Sequence, residues 1–256
     1  MNTLPRAPVL GTAVTVCGFV QAQDHLAERV AAGAPGYVSC ANAYSTTLAL
    51  DDAELARVLA DATMVTADGM PVVWALRALG HAQAERVHND DLFLACCNRF
   101  RGWRHFLVGG RAGQCDVVAA EMRRRFPGIE VVGTHATPVR PLPEAEYRAI
   151  LRDIQAARPS IVWVGMGTPA QDHFMAAARE TINAPLVGVG SLFDLLAGHT
   201  RPVPEWAKRS GLQWAFRLAQ EPRRLARRYL LHNTRFVFGA LKQWLMHKTG
   251  LAGDRG

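Results

Sequence analysis

One aspartate stands where a carboxylate can meet a ligand. In TMVTADGMPVVWALRALG, residues 63–80, a run typical of a strand leads into Asp68-Gly69, and Pro71 fixes the entry of the chain into the next helix. Asp68 is thus predicted at the carboxyl end of a strand, where parallel sheets bind their ligands. An aspartate at such a junction also serves well as a helix N-cap. These residues alone leave two interpretations of Asp68, a ligand-facing carboxylate or a cap.

Two glycine-rich segments could bind a phosphate. VGMGTPAQDHF, residues 164–174, and VGVGSLFDLLAG, residues 187–198, each predict a strand, a tight turn and the start of a helix. Free backbone N–H groups and the positive end of a helix dipole favour an anion at such a turn. The first segment lacks the third glycine of a dinucleotide fingerprint, so it is weak evidence for NAD. Two such turns in succession favour a nucleotide or pyrophosphate, and the alternative is that both are simply tight turns.

The segment ERVHNDDLF, residues 85–93, places a cation and two acids ahead of an apolar helix. Arg86 is either a surface cation or a phosphate clamp, and Asp90 or Asp91 is predicted to cap the helix. The adjacent acids differ from the spaced D-x-D with which sugar-nucleotide enzymes often hold a metal. Neither an H-E-x-x-H motif nor a complete G-x-S-x-G motif occurs in the chain. Zinc-dependent and serine hydrolase chemistry are therefore disfavoured.

The positive charge of the chain is concentrated near its end. Residues 201–256 contain 12 Lys and Arg against 3 Asp and Glu, whereas the whole chain contains 29 against 22. A local excess of this kind predicts a localised anionic partner. The five cysteines show no C-x-x-C spacing, which favours a reducing cytoplasm over a disulfide framework or a zinc site. No apolar run reaches the roughly 18 residues of a membrane span.

A long amphipathic helix is predicted from the break at Glu221-Pro222 to about His247. One stripe of its 3.6-residue period is basic and another is apolar. The basic stripe comprises Arg224, Arg228, Arg235 and Lys242, and the apolar stripe comprises Leu230, Val237, Leu241 and Trp244. Such a helix can rest on anionic lipid, where each cation contributes about 1 kcal/mol. A solvated face is the alternative, and nucleic acid is not expected because no reading module is present.

The elements that carry these residues alternate between strand and helix. Strands are predicted at residues 14–20, 37–40, 63–67, 104–110, 129–134, 160–167 and 184–190, with helical patterns between them. The alternation predicts an α/β fold, a Rossmann-like and mainly parallel sheet with helices on both faces. Strand patterns stop beyond Gly190. We therefore divide the chain into an α/β domain at residues 1–200, which would carry the chemistry, and a basic helical C-terminal appendage at 201–256.

Six blocks follow one another along the chain. They are Asn42, ADGMPVVW (67–74), ERVHNDDL (85–92), VGMGTPAQ (164–171), GVGSLFDLLAG (188–198) and GLQWAFRLAQEPRRLARRYL (211–230). Over about residues 38–240 this order resembles the WecG/TagA/CpsF glycosyltransferases, family 26. The resemblance implies a Rossmann-like core whose C-terminal appendage helps to close the active site and docks on the bilayer. The implied reaction is metal-independent and inverting, and it moves a sugar from a UDP-sugar to a polyprenyl-diphosphate-linked sugar.

The resemblance also assigns residues. Asp68 matches the proposed general base. Substrate-binding positions are matched by Asn42, Arg86, Asp91, Gly165, Gly167, Gln171, Gly190 and Asp194, and by the appendage arginines Arg217, Arg224 and Arg228, which are expected near the diphosphate. A carboxylate can take the proton of the acceptor hydroxyl, and guanidinium groups can stabilise the departing diphosphate. The expected enzyme needs neither a metal nor another cofactor, and it works in the cytoplasm at the inner face of the cell membrane.

Two residues depart from the family pattern, and several questions stay open. Cys40 stands where relatives usually carry threonine, and Asn89 where they usually carry glycine, although asparagine tolerates left-handed backbone geometry better than most residues. The sugar, which is N-acetylmannosamine, its uronic acid or glucose in the family, is not determined. The acceptor and the oligomeric state, a homo-oligomer included, are equally open. The competing hypotheses are an NAD-dependent enzyme and a non-catalytic nucleotide-binding protein whose tail anchors it to anionic membrane or nucleic acid.

Overall fold

The computed structural model describes residues 3–137 and 142–250, apart from the side chains of residues 205, 209 and 224. The strands of this part are β1 (Arg6–Val9), β2 (Thr12–Thr15), β3 (Gly36–Ala41), β4 (Met64–Ala67), β5 (Arg104–Gly109), β6 (Glu130–His135), β7 (Ile161–Gly165) and β8 (Pro185–Gly188). The helices are α1 (Phe19–Ala31), α2 (Ala43–Leu48), α3 (Ala53–Asp61), α4 (Met70–Ala78), α5 (Asn89–Arg99), α6 (Gln114–Arg125), α7 (Glu144–Ala157), α8 (Ala170–Ala178), α9 (Leu192–Leu196), α10 (Glu205–Arg209), α11 (Gln213–Gln220) and α12 (Pro222–Lys248).

Six of the strands form one parallel sheet, in the order β4-β3-β8-β7-β5-β6. Successive side chains of a strand point to opposite faces. On β7, Val162 and Val164 join an apolar cluster with α7 and α8, whereas Ile161 and Trp163 join a second cluster with α1, α5 and α6. Both faces of the sheet are therefore covered, and the predicted Rossmann-like α/β fold is confirmed.

The strand predicted at residues 14–20 is wrong, whereas the other six predicted strands are confirmed as β3 to β8 with slightly shifted ends. β2 ends at Thr15 and pairs antiparallel with β1 in a separate two-stranded sheet. Gly18 is the N-cap of α1, and its N–H donates to the Gln21 side chain at 2.8 Å. The Phe19 N–H donates to Glu85 Oε2 at 2.8 Å. Local strand propensity does not reveal a helix start that is stabilised by a residue so far away in the chain.

The predicted break at Glu221-Pro222 and the long helix beyond it are confirmed as the boundary between α11 and α12. α12 packs against α2 and α4, and its Gln243 side chain reaches the β1–β2 hairpin. That amide accepts a hydrogen bond from the Leu10 N–H at 3.0 Å and donates one to the Pro8 carbonyl at 2.7 Å. The appendage is thus held against the α/β core. The division of the chain at residue 200 into two domains stays a prediction.

The two stripes of α12 have different surroundings. Arg228 of the basic stripe lies over the Tyr44 ring of α2, and Arg235 pairs with Asp51 in the loop after α2. In the apolar stripe, Leu230 is 76 % exposed. Part of the basic stripe therefore contacts the core, whereas Leu230 of the apolar stripe is largely exposed. Among the helices of residues 3–137 and 142–250, none combines the length and the apolar character that crossing a membrane requires.

Candidate active site

A cleft of about 1980 Å³ opens at the carboxyl edge of the parallel sheet. It is bordered by the loops after β3, β4, β7 and β8 and by residues of α4, α11 and α12. The predicted site residues that border it are Asn42, Asp68, Arg86, Asp91, Gly165, Gly167, Gln171, Gly190, Asp194, Arg217 and Arg228. The side chain of Arg224 lies outside the described part of the structure. Parallel strands end at one edge, so the fold collects these distant positions around one cavity.

Asp68 follows β4 directly, and its side chain is 16 % exposed. Gly69, not Asp68, is the N-cap of α4, so the alternative interpretation of Asp68 as a cap of that helix is wrong. One carboxylate oxygen accepts a hydrogen bond from Asn42 Nδ2 at 3.3 Å, and the other accepts one from the Asn89 N–H at 3.3 Å. Asn89 is the first residue of α5, and the amino end of a helix favours a negative charge. The carboxylate is thus oriented at the border of the cleft.

Asn42 reaches Asp68 because of its place at the start of α2. It is the N-cap of α2, and its Oδ1 accepts hydrogen bonds from the N–H groups of Tyr44 at 3.0 Å and Ser45 at 3.1 Å. Since the cap uses the amide oxygen, the Nδ2 group must be the one that faces the carboxylate. One asparagine therefore starts a helix and holds Asp68 at the same time.

Arg86 connects the end of β4 with α5 and the appendage. Its Nε donates to the Asp68 carbonyl at 3.1 Å, its Nη2 donates to Gln213 Oε1 of α11 at 2.7 Å, and its Nη1 lies 3.5 Å from Asp91 Oδ2. Asp91 is also 3.4 Å from Lys208 Nζ of α10. The expectation that Asp90 or Asp91 caps α5 is wrong, because the N-cap position belongs to His88. Both acids lie instead in the first turn, where they meet cations of the appendage.

The two glycine turns are tied together by one buried amide. Gln171 is 1 % exposed, and its Oε1 accepts hydrogen bonds from the N–H groups of Gly167 at 3.1 Å and Gly190 at 3.0 Å. These two N–H groups are therefore already bound within the protein. Gly165 has a packing role, because a Cβ at this position would lie 2.6 Å from the ring of Phe193. The turns border the cleft, and Gln171 sets their relative position.

Asp194 lies in the first turn of α9 and is bound within the protein. Its Oδ1 accepts a hydrogen bond from Gln114 Nε2 at 2.9 Å and lies 3.6 Å from His199 Nδ1. Its side chain is partly exposed at the border of the cleft. The structure thus links Asp194 to α6 and to the loop after α9, in addition to the cleft.

Arg217 and Arg228 of the appendage border the cleft. Arg217 Nη1 donates to Ser191 Oγ at 3.2 Å, and Arg217 Nη2 lies 3.6 Å from Asp90 Oδ2. The Arg228 guanidinium lies 4.7 Å from the centre of the Tyr44 ring. Its buried Nε has no hydrogen-bond partner among the described residues. A buried donor of this kind favours an acceptor such as a phosphate oxygen.

The two departures from the family pattern have distinct surroundings. Cys40 is buried at the border of the cleft, and burial followed by the charge of Asp68 raises the pKa of its thiol well above the usual value. Asn89 is helical and needs no left-handed backbone. Its side chain accepts a hydrogen bond from Thr66 Oγ1 at 2.8 Å and donates one to the Gly188 carbonyl at 2.6 Å. Asn89 therefore braces β4 against β8, a role that glycine could not fill.

The polar side chains of the cleft that were not among the predicted site residues include His88, Asp90, Lys208 and Gln213. Burial raises the pKa of Asp90, and the nearby Arg217 guanidinium opposes that rise. Asp90 and His88 lie close in sequence to the predicted residues Arg86 and Asp91. That nearness could have identified both as residues of the cleft. Lys208 and Gln213 could not be found in this way, because only the packing of α10 and α11 brings them to the cleft.

The fold and the cleft define a class of protein, an α/β ligand-binding protein whose site lies beyond the carboxyl ends of parallel strands. A family model, described as the glycosyl transferase WecG/TagA/CpsF family, matches residues 7–250 of the chain. The match covers nearly the whole sequence, and the chain therefore belongs to this family. Its membership makes it a glycosyltransferase of cell-surface polymer synthesis.

Proposed function

We propose that this protein is an inverting glycosyltransferase that moves a sugar from a UDP-sugar to a polyprenyl-diphosphate-linked acceptor. One observation carries the proposal: a carboxylate from the first third of the chain and guanidinium groups from its end border the same cleft. These are Asp68 on one side and Arg217 and Arg228 on the other. Inverting transfer needs a base for the attacking hydroxyl and a cationic group for the departing diphosphate. The cleft supplies both.

Asp68 acts as the general base. As the acceptor oxygen attacks the anomeric carbon, the hydroxyl proton passes to the Asp68 carboxylate. The bond between the anomeric carbon and the diphosphate oxygen breaks, and its electron pair stays on the diphosphate. The hydrogen bonds from Asn42 Nδ2 and the Asn89 N–H orient the carboxylate before substrate arrives. A base held in this way within reach of the hydroxyl contributes about 10²- to 10⁴-fold to such a reaction.

The appendage arginines stabilise the diphosphate. Arg228 presents an Nε donor that lacks a partner within the described chain, and Arg217 reaches the loop after β8 through Ser191. Guanidinium groups pair with phosphate oxygens through two parallel hydrogen bonds, which suits a diphosphate that gains charge as it leaves. The family pattern assigns the same role to Arg224, one turn before Arg228 on α12, whose side chain lies outside the described residues. Arg86 holds α11 close to the base through Gln213.

The size of the cleft accommodates two substrates. Its volume of about 1980 Å³ exceeds the roughly 300–1,000 Å³ of a site for one small ligand. Apolar side chains such as Trp74, Leu241 and Trp244 also line the cleft. This lining and the exposed apolar stripe of α12 support a lipid-linked acceptor and peripheral docking on the cytoplasmic face of the membrane. The transferred sugar, whether N-acetylmannosamine, its uronic acid or glucose, is left to a donor panel.

The test is a panel of UDP-sugars offered to wild type and to Asp68→Asn with a short-chain polyprenyl-diphosphate-linked sugar as acceptor. We expect the variant to lose transfer by about 10²- to 10⁴-fold while it binds UDP as wild type does. Asp116→Asn is the matched control, because Asp116 lies on α6 outside the cleft. Its Oδ1 accepts a hydrogen bond from Thr134 Oγ1 at 2.7 Å. Unchanged transfer by Asp68→Asn would refute its role as base. UDP binding by wild type without transfer from any donor would favour the non-catalytic alternative.

A further inference from the structure

His88 lies between two carboxylates next to the proposed base, and it is 7 % exposed. Its Nε2 is 3.7 Å from Asp68 Oδ1, at the end of β4, and its Nδ1 is 3.8 Å from Asp90 Oδ2, in α5. Beyond Asp90 stands Arg217 of α11, at 3.6 Å. Nδ1 is buried and has no hydrogen-bond partner in the described part of the chain. The proposed reaction, which uses Asp68, gives this imidazole no role.

Gln213 of α11 determines where the proton of His88 sits. Arg86 can only donate hydrogen bonds, so the Gln213 atom 2.7 Å from Arg86 Nη2 must be the amide oxygen. The amide nitrogen is therefore the atom that faces His88 Nε2 at 3.2 Å. Because an amide nitrogen can only donate, His88 Nε2 must present its lone pair. The ring is then neutral, with its proton on Nδ1, the side of Asp90.

We propose that His88 is a positioning residue that acts through Asp68, by sharing the proton that Asp68 takes from the acceptor hydroxyl. This inference rests on the proposed function. The hydroxyl O–H bond breaks as its oxygen bonds the anomeric carbon, and the diphosphate leaves with the electron pair of its bond to that carbon. The proton arrives on Asp68, which then donates it to the lone pair of His88 Nε2. The hydrogen bond from the Gln213 amide to that lone pair is lost at the same time. After the products leave, the proton passes to water and the site returns to its first state.

The geometry supports this sharing. The 3.7 Å between Asp68 Oδ1 and His88 Nε2 must shorten to about 2.7–3.0 Å for a hydrogen bond. Such contacts between catalytic groups commonly tighten when substrate binds. On the other side of the ring, Asp90 faces the Nδ1 proton and stabilises any positive charge that the imidazole gains. Water is largely excluded there, which strengthens this attraction.

The first experiment compares kcat and KM of sugar transfer for wild type and His88→Gln. We expect kcat of the variant to fall by about 10- to 100-fold, with the KM of each substrate within about threefold of wild type. His135→Gln is the matched control, because His135 lies 3.0 Å from Asp153 Oδ2 but outside the cleft. It should keep the wild-type kcat and KM.

The second experiment reads the proton directly, by nitrogen NMR of the full-length protein with labelled histidine. Wild type should show His88 protonated on Nδ1, and Gln213→Glu, which places an acceptor opposite Nε2, should move the proton to Nε2. A proton on Nε2 in wild type would overturn the inference, and so would a His88→Gln enzyme with wild-type kcat. The wild-type spectrum does not depend on the folding of any variant. If wild type transfers sugar while these results fail, His88 is excluded and the proposed function stands.

Discussion

Replacing Gln171 by methionine tests whether one buried amide holds the two glycine turns of the cleft. Gln171 Oε1 accepts hydrogen bonds from the N–H groups of Gly167 and Gly190, after β7 and β8. Methionine has a similar length and fills the same space, but it offers no comparable acceptor. The variant should therefore pack normally and lose the link between the two strand ends.

The expected loss of stability follows from these two hydrogen bonds. Each contributes about 0.5–1.5 kcal/mol, so their removal should lower the free energy of unfolding by about 1–3 kcal/mol. A shift of about 2–4 °C per kcal/mol applies to a chain of this size, so Tm should fall by about 2–12 °C. The turns border the cleft, and the KM of the sugar donor should rise because the turns lose their fixed separation.

Urea unfolding and calorimetry measure the stability of the variant, and a kinetic assay measures its KM for the UDP-sugar. Gln155→Met is the matched control, since the exposed Gln155 side chain makes one hydrogen bond, to the Thr181 carbonyl at 3.1 Å. We expect the control to stay within about 0.5 kcal/mol of wild type. A Gln171→Met protein as stable as this control, with a raised KM, would refute the bracing role. It would show instead that Gln171 acts through direct contact with substrate.

Three further perturbations follow from the packing. Gly165→Ala places a Cβ 2.6 Å from an aromatic ring, so urea unfolding should show a loss of about 1–3 kcal/mol, whereas Gly102→Ala, which meets open space, should be neutral. Burial lowers the pKa of His105 to about 4. As the pH falls from about 6.5, the imidazole therefore takes up a proton in the unfolded state before it does so in the folded state. The free energy of unfolding should drop toward pH 4 by up to about 1.4 kcal/mol per pH unit. The His105→Gln variant should lack this part of the pH dependence, and an unchanged pH dependence would contradict the assignment to His105. Leu230→Ser with Phe238→Ser, both on the exposed side of α12, should weaken sedimentation with anionic phospholipid vesicles by about tenfold, and equal binding would argue against docking through α12.

Local patterns were enough for most of the fold. β7 was predicted because its β-branched residues form an apolar run that ends in glycine, and α12 was predicted because Pro222 starts a long helical period. The strand at residues 14–20 failed for the opposite reason. Gly18 and the distant Glu85 start α1 there, and a contact across the fold leaves no trace in a local window.

The carboxylate position was predictable in the same way, but its partners were not. Asp68 was placed at a strand end by pattern alone, whereas its contacts with Asn42 and the Asn89 N–H depend on how α2 and α5 begin. The glycine turns were predicted to offer their N–H groups to an anion. The structure shows that two of these groups are bound by Gln171, because α8 turns that side chain back under both loops.

The sequence by itself determined the class of fold, the carboxylate at the end of β4 and the excess of cations in the last helices, because each depends on residue types that are neighbours along the chain. Only the tertiary structure decided which groups meet. It turned Arg228 toward the core while Leu230 faces outward, and it placed His88 between Asp68 and Asp90. The amide that faces His88 Nε2 belongs to Gln213, which is 125 residues away in the chain. Such pairings arise from the packing of helices on a sheet, which local spacing does not encode.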